Sequence, residues 1–167
     1  MKFISLVRVL GKFITMMIVV ILIVLSFPQL YGMKCYVVAS GSMMPALPVG
    51  SAVYIKKKAP EAIEKGEVIT FTADKGETMI THRVVENNKE KQFFITKGDA
   101  NDSQDIQPVK WKNVCGTVIF YVPFAGYILK FLGSGRGKAA VLFFLLAFSF
   151  CTEMSGGEAI KKESESG

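Results

Sequence analysis

Apolar and polar positions divide the chain into stretches of different period. From Phe13 to Met33 no charged residue occurs. As a helix rising about 1.5 Å per residue, this run crosses a hydrocarbon core of roughly 30 Å. Lys2, Arg8 and Lys12 precede it, which predicts a cytoplasmic N-terminus (1–12), a transmembrane anchor (13–33) and a following domain on the extracytoplasmic side of a cell membrane. Val37-Val38-Ala39 has the small residues of a signal-peptide cleavage site, but the apolar run exceeds the usual core of about 7–15 residues and Ala39 lies well past its end. An uncleaved anchor is therefore expected.

Beyond the anchor the pattern changes to short runs rich in Val, Ile, Thr, Phe and Tyr, broken by Gly, Pro and Asn-Asn. Strands are predicted at Tyr36–Ala39, Ser51–Ile55, Glu67–Thr72, Met79–Val85, Gln92–Thr96 and Val114–Val122. No segment between them has sustained helical periodicity, only a possible turn at Pro60 to Lys65, so parallel βαβ units are not expected. The prediction is a small, mostly β, antiparallel domain over 34–132. Phe124 to Leu132 reads as an amphipathic segment at the membrane surface and 133–138 as a linker. Gly133-Ser134-Gly135-Arg136-Gly137-Lys138 is one residue short of a phosphate loop, with Ala139 where a magnesium-binding hydroxyl belongs. The uncharged stretch 139–152 is shorter than the roughly 20 residues of a full span. It is expected to be a second membrane segment, with a re-entrant or surface-lying helix as the alternative, followed by a polar tail over 153–167.

Composition narrows the classes. In 167 residues the chain is 50% hydrophobic with a formal net charge of +6, which leaves room for one modest domain plus lipid-facing segments. The basic residues are scattered, and no stripe of aromatic and basic side chains suits a nucleic acid. Cys35, Cys115 and Cys151 lack CxxC spacing, so neither a zinc site nor a disulfide framework is expected.

Candidate chemistry begins at Ser40-Gly41-Ser42-Met43-Met44-Pro45. Gly41 permits dihedrals that a side chain forbids, and Pro45 fixes one φ, which together give a stiff turn. On such a turn Ser42 is a candidate nucleophile, with its own N–H and the Ser40 hydroxyl as part of an oxyanion hole. By itself, Ser-Gly-Ser before a proline is equally an ordinary loop. An activated serine needs a base, and His82 is the only histidine. Strand alternation places it with Ile80 and Val84, opposite Thr81 and Arg83, an apolar setting that favours neutral imidazole. The alternative is a lysine such as Lys75 or Lys97 acting as base in a self-cleaving Ser-Lys protease. An inactive membrane-anchored binding module would need none of these groups to react.

A loop rich in acids, Lys97-Gly98-Asp99-Ala100-Asn101-Asp102-Ser103-Gln104-Asp105, follows the fifth strand. Any of its carboxylates is a candidate to accept the second ring N–H of His82, as the acid of a Ser-His-Asp triad does. Calcium is the rival reading, since Asp99, Asn101 and Ser103 match the first oxygens of an EF-hand loop. Gln104 stands where Gly is needed and Lys110 where a bidentate Glu is needed, so no metal is expected.

Taken together, Ser40-Gly41-Ser42-Met43-Met44-Pro45, Thr81-His82-Arg83-Val84-Val85 and Gly98-Asp99 with Asn101 and Asp105 resemble the ordered motifs of type I signal peptidases. The likeness covers about residues 13 to 132 and is to the endoplasmic-reticulum-type branch of peptidase family S26, in which histidine replaces the general-base lysine. The resemblance implies a signal-peptidase-like β fold and a membrane-bound serine endopeptidase without cofactor. In it Ser42 is the nucleophile, Ser40 and the Ser42 N–H stabilise the oxyanion, His82 is the base, Asp105 the triad acid and Asp99 a second required carboxylate, with Asp102 the weaker claimant to the acid's place. It further implies signal peptides of exported preproteins as partners, cut after small-x-small motifs such as Ala-x-Ala. An extended substrate would lie along Tyr36 to Ser40 and Thr78 to His82.

Overall fold

The structure is a computed structural model that describes residues 2–73 and 78–147. It divides into two compact units, one of residues 1–26 with 131–167 and one of residues 27–130.

In the first unit, helix α1 (Lys2–Leu30) is apolar over Val9–Leu30, with mean hydropathy 2.6 and only 6% of its residues buried. Leucine, valine, isoleucine and phenylalanine side chains exposed around a helix fit hydrocarbon rather than a protein core. Among the described residues it is the one helix long and apolar enough to cross a membrane. The helix begins well before the uncharged stretch, at Lys2, and ends at Leu30, three residues before that stretch does, with Pro28 in its last turn. Helix α2 (Ala125–Gly133), which begins in the second unit and ends in the first, covers the stretch expected as an amphipathic segment at Phe124 to Leu132. The linker expected over 133–138 shrinks to a bend at Ser134, with helical backbone over 135–147. The Ser134 hydroxyl donates to Phe131 O at 2.6 Å and accepts from Gly137 N–H at 3.0 Å, so it caps the next helix where the glycine-rich composition suggested a loop. Residues 148–152 of the expected second membrane segment and the tail 153–167 lie outside the described residues.

The second unit is built on one antiparallel sheet. Its strands are β1 (Lys34–Val37), β2 (Ala52–Lys56), β3 (Val68–Thr72), β4 (Met79–Asn88), β5 (Phe93–Lys97), β6 (Val109–Lys110) and β7 (Val114–Val122), in the order β1-β2-β7-β3-β4-β5-β6. The last strand enters between β2 and β3, pairing Val53 with Tyr121 on one side and Ile69 with Thr117 on the other. Irregular registers at Tyr54/Ile55, Thr70/Phe71 and Val84/Glu86 mark bulges, which bend a strand and increase its twist. The short β6 escaped the sequence reading because two residues carry no detectable alternation.

Two apolar clusters result. Ile63, Ile69, Phe71, Val84, Phe94 and Val109 form one; Met43, Leu47, Val53 and Ile55 form the other. Between them the buried Thr70 is satisfied by the Thr81 hydroxyl, 2.9 Å away and directly opposite in the register. Asn87 fastens the 3-10 turn Pro60–Ala62 by donating to Pro60 O and Ile63 O, both at 2.9 Å, while accepting from Trp111 Nε1 at 3.1 Å. The first turn of α2 is seated by Gly126 N–H on Gly50 O at 2.9 Å.

The entrance to β3 carries an ion pair, with Lys58 Nζ at 2.8 and 2.7 Å from the Glu67 carboxylate oxygens and Glu64 N–H donating to the same carboxylate at 2.7 Å. Burial works against ionising Glu67, but the Lys58 and Glu64 donors outweigh it and hold its pKa below the usual value. A lowered folded-state value stabilises the ionised form, so the contribution is full above the unfolded carboxyl range, about pH 4.3, and is lost as pH falls through the lower folded value. Glu67→Gln should therefore reduce stability by about 0.5 kcal/mol, the scale of such exposed pairs, equally at pH 5 and pH 7. Thermal melts should show the difference shrinking below that range, and a constant difference down to about pH 2 would contradict the linkage.

Candidate active site

Ser42 lies in the long connection from β1 to β2. Met44 N–H to Gly41 O at 3.0 Å and Leu47 N–H to Met43 O at 2.8 Å close two successive turns, and the Met44-Pro45 peptide is cis. Met43 and Leu47 are 2% and 4% exposed and sink into the cluster with Val53 and Ile55. Apolar side chains on either side of the turn thus fix a hydroxyl that is itself only half-buried. The Ser40 hydroxyl is 3.3 Å from that of Ser42. Among the described residues no hydrogen bond uses the Ser42 N–H.

His82 comes from the middle of β4, opposite Ile69 of β3, and is buried. Its Nε2 is 3.2 Å from Ser42 Oγ, and its Nδ1 is 2.6 Å from Asp105 Oδ2. A carboxylate only accepts, so Nδ1 carries the hydrogen and Nε2 presents its lone pair to the serine hydroxyl. The edge of Phe71 faces the ring, with centroids 6.3 Å apart.

Asp105 belongs to the loop between β5 and β6. Thr96 Oγ1 donates to the same Oδ2 at 2.6 Å, and Asp105 N–H donates to Thr96 O at 2.8 Å. Thr96 is completely buried, so the acid is held through both its backbone and its side chain by one residue of β5. This threonine was not singled out from the sequence. Its signal was Phe94 and Thr96 on one face of the strand: a hydroxyl on an apolar face requires a partner.

Of the three carboxylates in the loop, Asp105 meets the imidazole. Asp99 is instead clamped by Arg83, Nε to Oδ1 at 2.8 Å and Nη2 to Oδ2 at 2.6 Å, while Arg83 Nη1 donates to Gly66 O at 2.8 Å. That fork raises the Arg83 pKa, the Asp99 bond being the main cause. Asp99, which the family resemblance sets among the catalytic residues, bonds to Arg83 rather than to His82 and ties the loop to the opposite face of β4. Asp102 is exposed, and its carbonyl accepts from Lys97 Nζ at 3.2 Å, so that lysine is engaged away from the serine. Lys75 lies outside the described residues. Among the described residues no group of acids, cysteines and histidine is arranged to hold a metal.

The loop also grips the serine turn directly. Ala100 N–H donates to Ser42 O at 2.8 Å, and this approach needs Gly98, since a Cβ there would lie 2.6 Å from Ser42 O and 2.7 Å from Asn101 Nδ2. A cleft of about 410 Å³ opens beside Ser42, lined by Met43, Leu47 and Val53 of one cluster and by Ile80 and His82. It is bordered by the predicted substrate-binding segments, Tyr36 to Ser40 and Thr78 to His82.

Residues 10–95 match the family described as signal peptidase, peptidase S26. The chain belongs to that family. It is 38% identical over 109 residues to signal peptidase I W of Bacillus subtilis, a match spanning 60% of this chain and 57% of that relative. It is 34% identical to the signal peptidase complex catalytic subunit SEC11 of Lachancea thermotolerans, over 68% of this chain and 74% of the relative. To the Saccharomyces cerevisiae (strain YJM789) SEC11 subunit it is 32% identical, over 73% and 77%. Signal peptidase membership makes the chain a peptidase by kinship and accords with an apolar N-terminal helix.

Gly98→Ala tests the grip of the loop on the serine turn. The new methyl group meets backbone that cannot swing aside, so it should cost about 1–3 kcal/mol of stability and push the acid loop off the turn, lowering peptidase activity as well. Unchanged melting and turnover would show that the close approach is not needed.

Proposed function

We propose that the chain is a membrane-anchored serine endopeptidase that removes signal peptides from exported preproteins, with its β-domain on the extracytoplasmic side of the membrane. The observation that carries this reading is His82 bridging Ser42 Oγ at 3.2 Å and Asp105 Oδ2 at 2.6 Å, within a family of signal peptidases.

In the proposed reaction, Nε2 of His82 takes the hydroxyl proton as Ser42 Oγ attacks the scissile carbonyl carbon. The Ser42 N–H and the Ser40 hydroxyl receive the charge that develops on the carbonyl oxygen. Asp105 keeps the imidazole in the required tautomer and stabilises the imidazolium, and Thr96 orients Asp105. Collapse returns the proton to the leaving amine. His82 then deprotonates the water that hydrolyses the acyl-enzyme. Asp99 is read here as a positioning group acting through Arg83. All of these side chains belong to one chain.

Specificity follows from the cleft beside Ser42. A substrate added as an extended strand along Tyr36 to Ser40 and Thr78 to His82 would turn alternate side chains toward Met43, Leu47, Val53 and Ile80, a limited apolar space that favours small-x-small sequences such as Ala-x-Ala. Tethering enzyme and signal peptide to the same bilayer raises their effective concentration without a further contact.

The full chain, purified in detergent and given a preprotein with an Ala-x-Ala site, should release a product whose mass places the cut after the second alanine. Ser42→Ala and His82→Ala should each lower kcat by about 10⁴-fold or more. Full activity in His82→Ala would favour a lysine base and end the Ser-His reading.

The pH profile provides a separate test. Imidazolium has no lone pair for the serine proton, so kcat/KM should fall tenfold per unit on the acid limb, as the base protonates. A rate flat across about pH 5 to 8, where histidines ordinarily change charge, would exclude His82 as the base.

A further inference from the structure

A second and larger cleft, of about 740 Å³, lies next to the first. The two share Ile80, His82 and Asn101, but Ser40 and Ser42 border only the smaller one. The larger has a floor of Phe71, Ile80 and Val109 and a wall formed by residues 101–108 of the acid loop. Phe71 and Val109 are 6% and 5% exposed, whereas Ile106, next to Asp105 in that wall, is 98% exposed. Among the described residues nothing covers this branched apolar side chain, which stands beside Asp105.

We infer that this cleft binds the segment of the substrate that follows the scissile bond, the first residues of the mature protein. The inference rests on the peptidase reading and extends it. The leaving nitrogen must come within hydrogen-bond reach of His82 Nε2 to receive its proton. The acyl half of the substrate occupies the cleft that contains Ser42, so the other half departs from the imidazole into the space that His82 shares with the larger cleft. Continuity through Ile80, His82 and Asn101 thus joins the two grooves into one track across the catalytic pair. The floor is apolar, and among the described residues the only carboxylates on the lining are those of Asp102 and Asp105, with no lysine or arginine beside them. Apolar or basic residues shortly after the cut therefore suit it better than acidic ones, with Ile106 as the apolar contact and Asp102 as a carboxylate at the wall.

Two substrates with the same signal-peptide half separate the possibilities. One ends in a small fluorogenic leaving group directly after the scissile bond; the other continues with several apolar mature residues. Ile106→Asp in the full chain should lower kcat/KM about tenfold for the long substrate and leave the short one unchanged, and a lysine placed after the cut should recover most of the loss. The side chain is exposed, so a folding defect is not expected, and the short substrate reports directly on the triad. An equal loss on both substrates would mean that Ile106 acts on Asp105 rather than on substrate, and would overturn the inference. No loss on either would overturn it too. If the wild-type chain cleaves neither substrate, the peptidase reading fails and takes this one with it, an outcome distinct from cleavage that ignores the mature residues.

Discussion

His82 accepts a hydroxyl hydrogen on one side and donates to a carboxylate on the other, and through these two contacts three remote segments converge. The serine turn follows β1, the histidine sits on β4 and the acid loop follows β5. In a flat sheet of this strand order β1 and β4 are four strand spacings apart, about 19 Å at ordinary separation. Contact requires the β1–β2 connection to fold back toward β4, helped by bulges in β7 and β4 that bend those strands and increase their twist.

The interactions that permit this are mostly apolar and backbone in nature. Met43 and Leu47 hold the turn from beneath, Ala100 N–H ties it to the acid loop, and the absence of a side chain at Gly98 lets the two backbones meet. Arg83 fixes the same loop through Asp99 while its neighbour His82 points to the other face of β4. One strand therefore supplies both the imidazole and the clamp that positions its acid. Polar groups placed in this way need little rearrangement when charge develops, which is the physical meaning of a preorganised site.

The rest of the chain concerns solvent. Polar pairs such as Thr70 with Thr81 satisfy groups that the sheet buries, whereas α1 leaves its apolar side chains outward. An exposed apolar helix is costly in water and favourable in hydrocarbon, so the membrane is as much a part of this protein's folding environment as its two apolar clusters.

Sequence alone determined the features that depend on local chemistry or on period. The charge-free run was legible as a helix for hydrocarbon, alternation gave six of the strands within a few residues, and the sole histidine named the side chain that meets the Ser42 hydroxyl. It also led to Asp105, though only through likeness to a family, because three carboxylates within seven residues are locally equivalent. What separated them was tertiary: Thr96 reaches Asp105, Arg83 takes Asp99, and Asp102 faces solvent. The same holds for Ser134, whose hydroxyl caps a helix where composition suggested a linker, and for β6, whose two residues become a strand only beside β5. Period and composition act over neighbouring residues; hydrogen-bond partners and strand order depend on groups far apart in the chain, and they are decided when the sheet closes around His82.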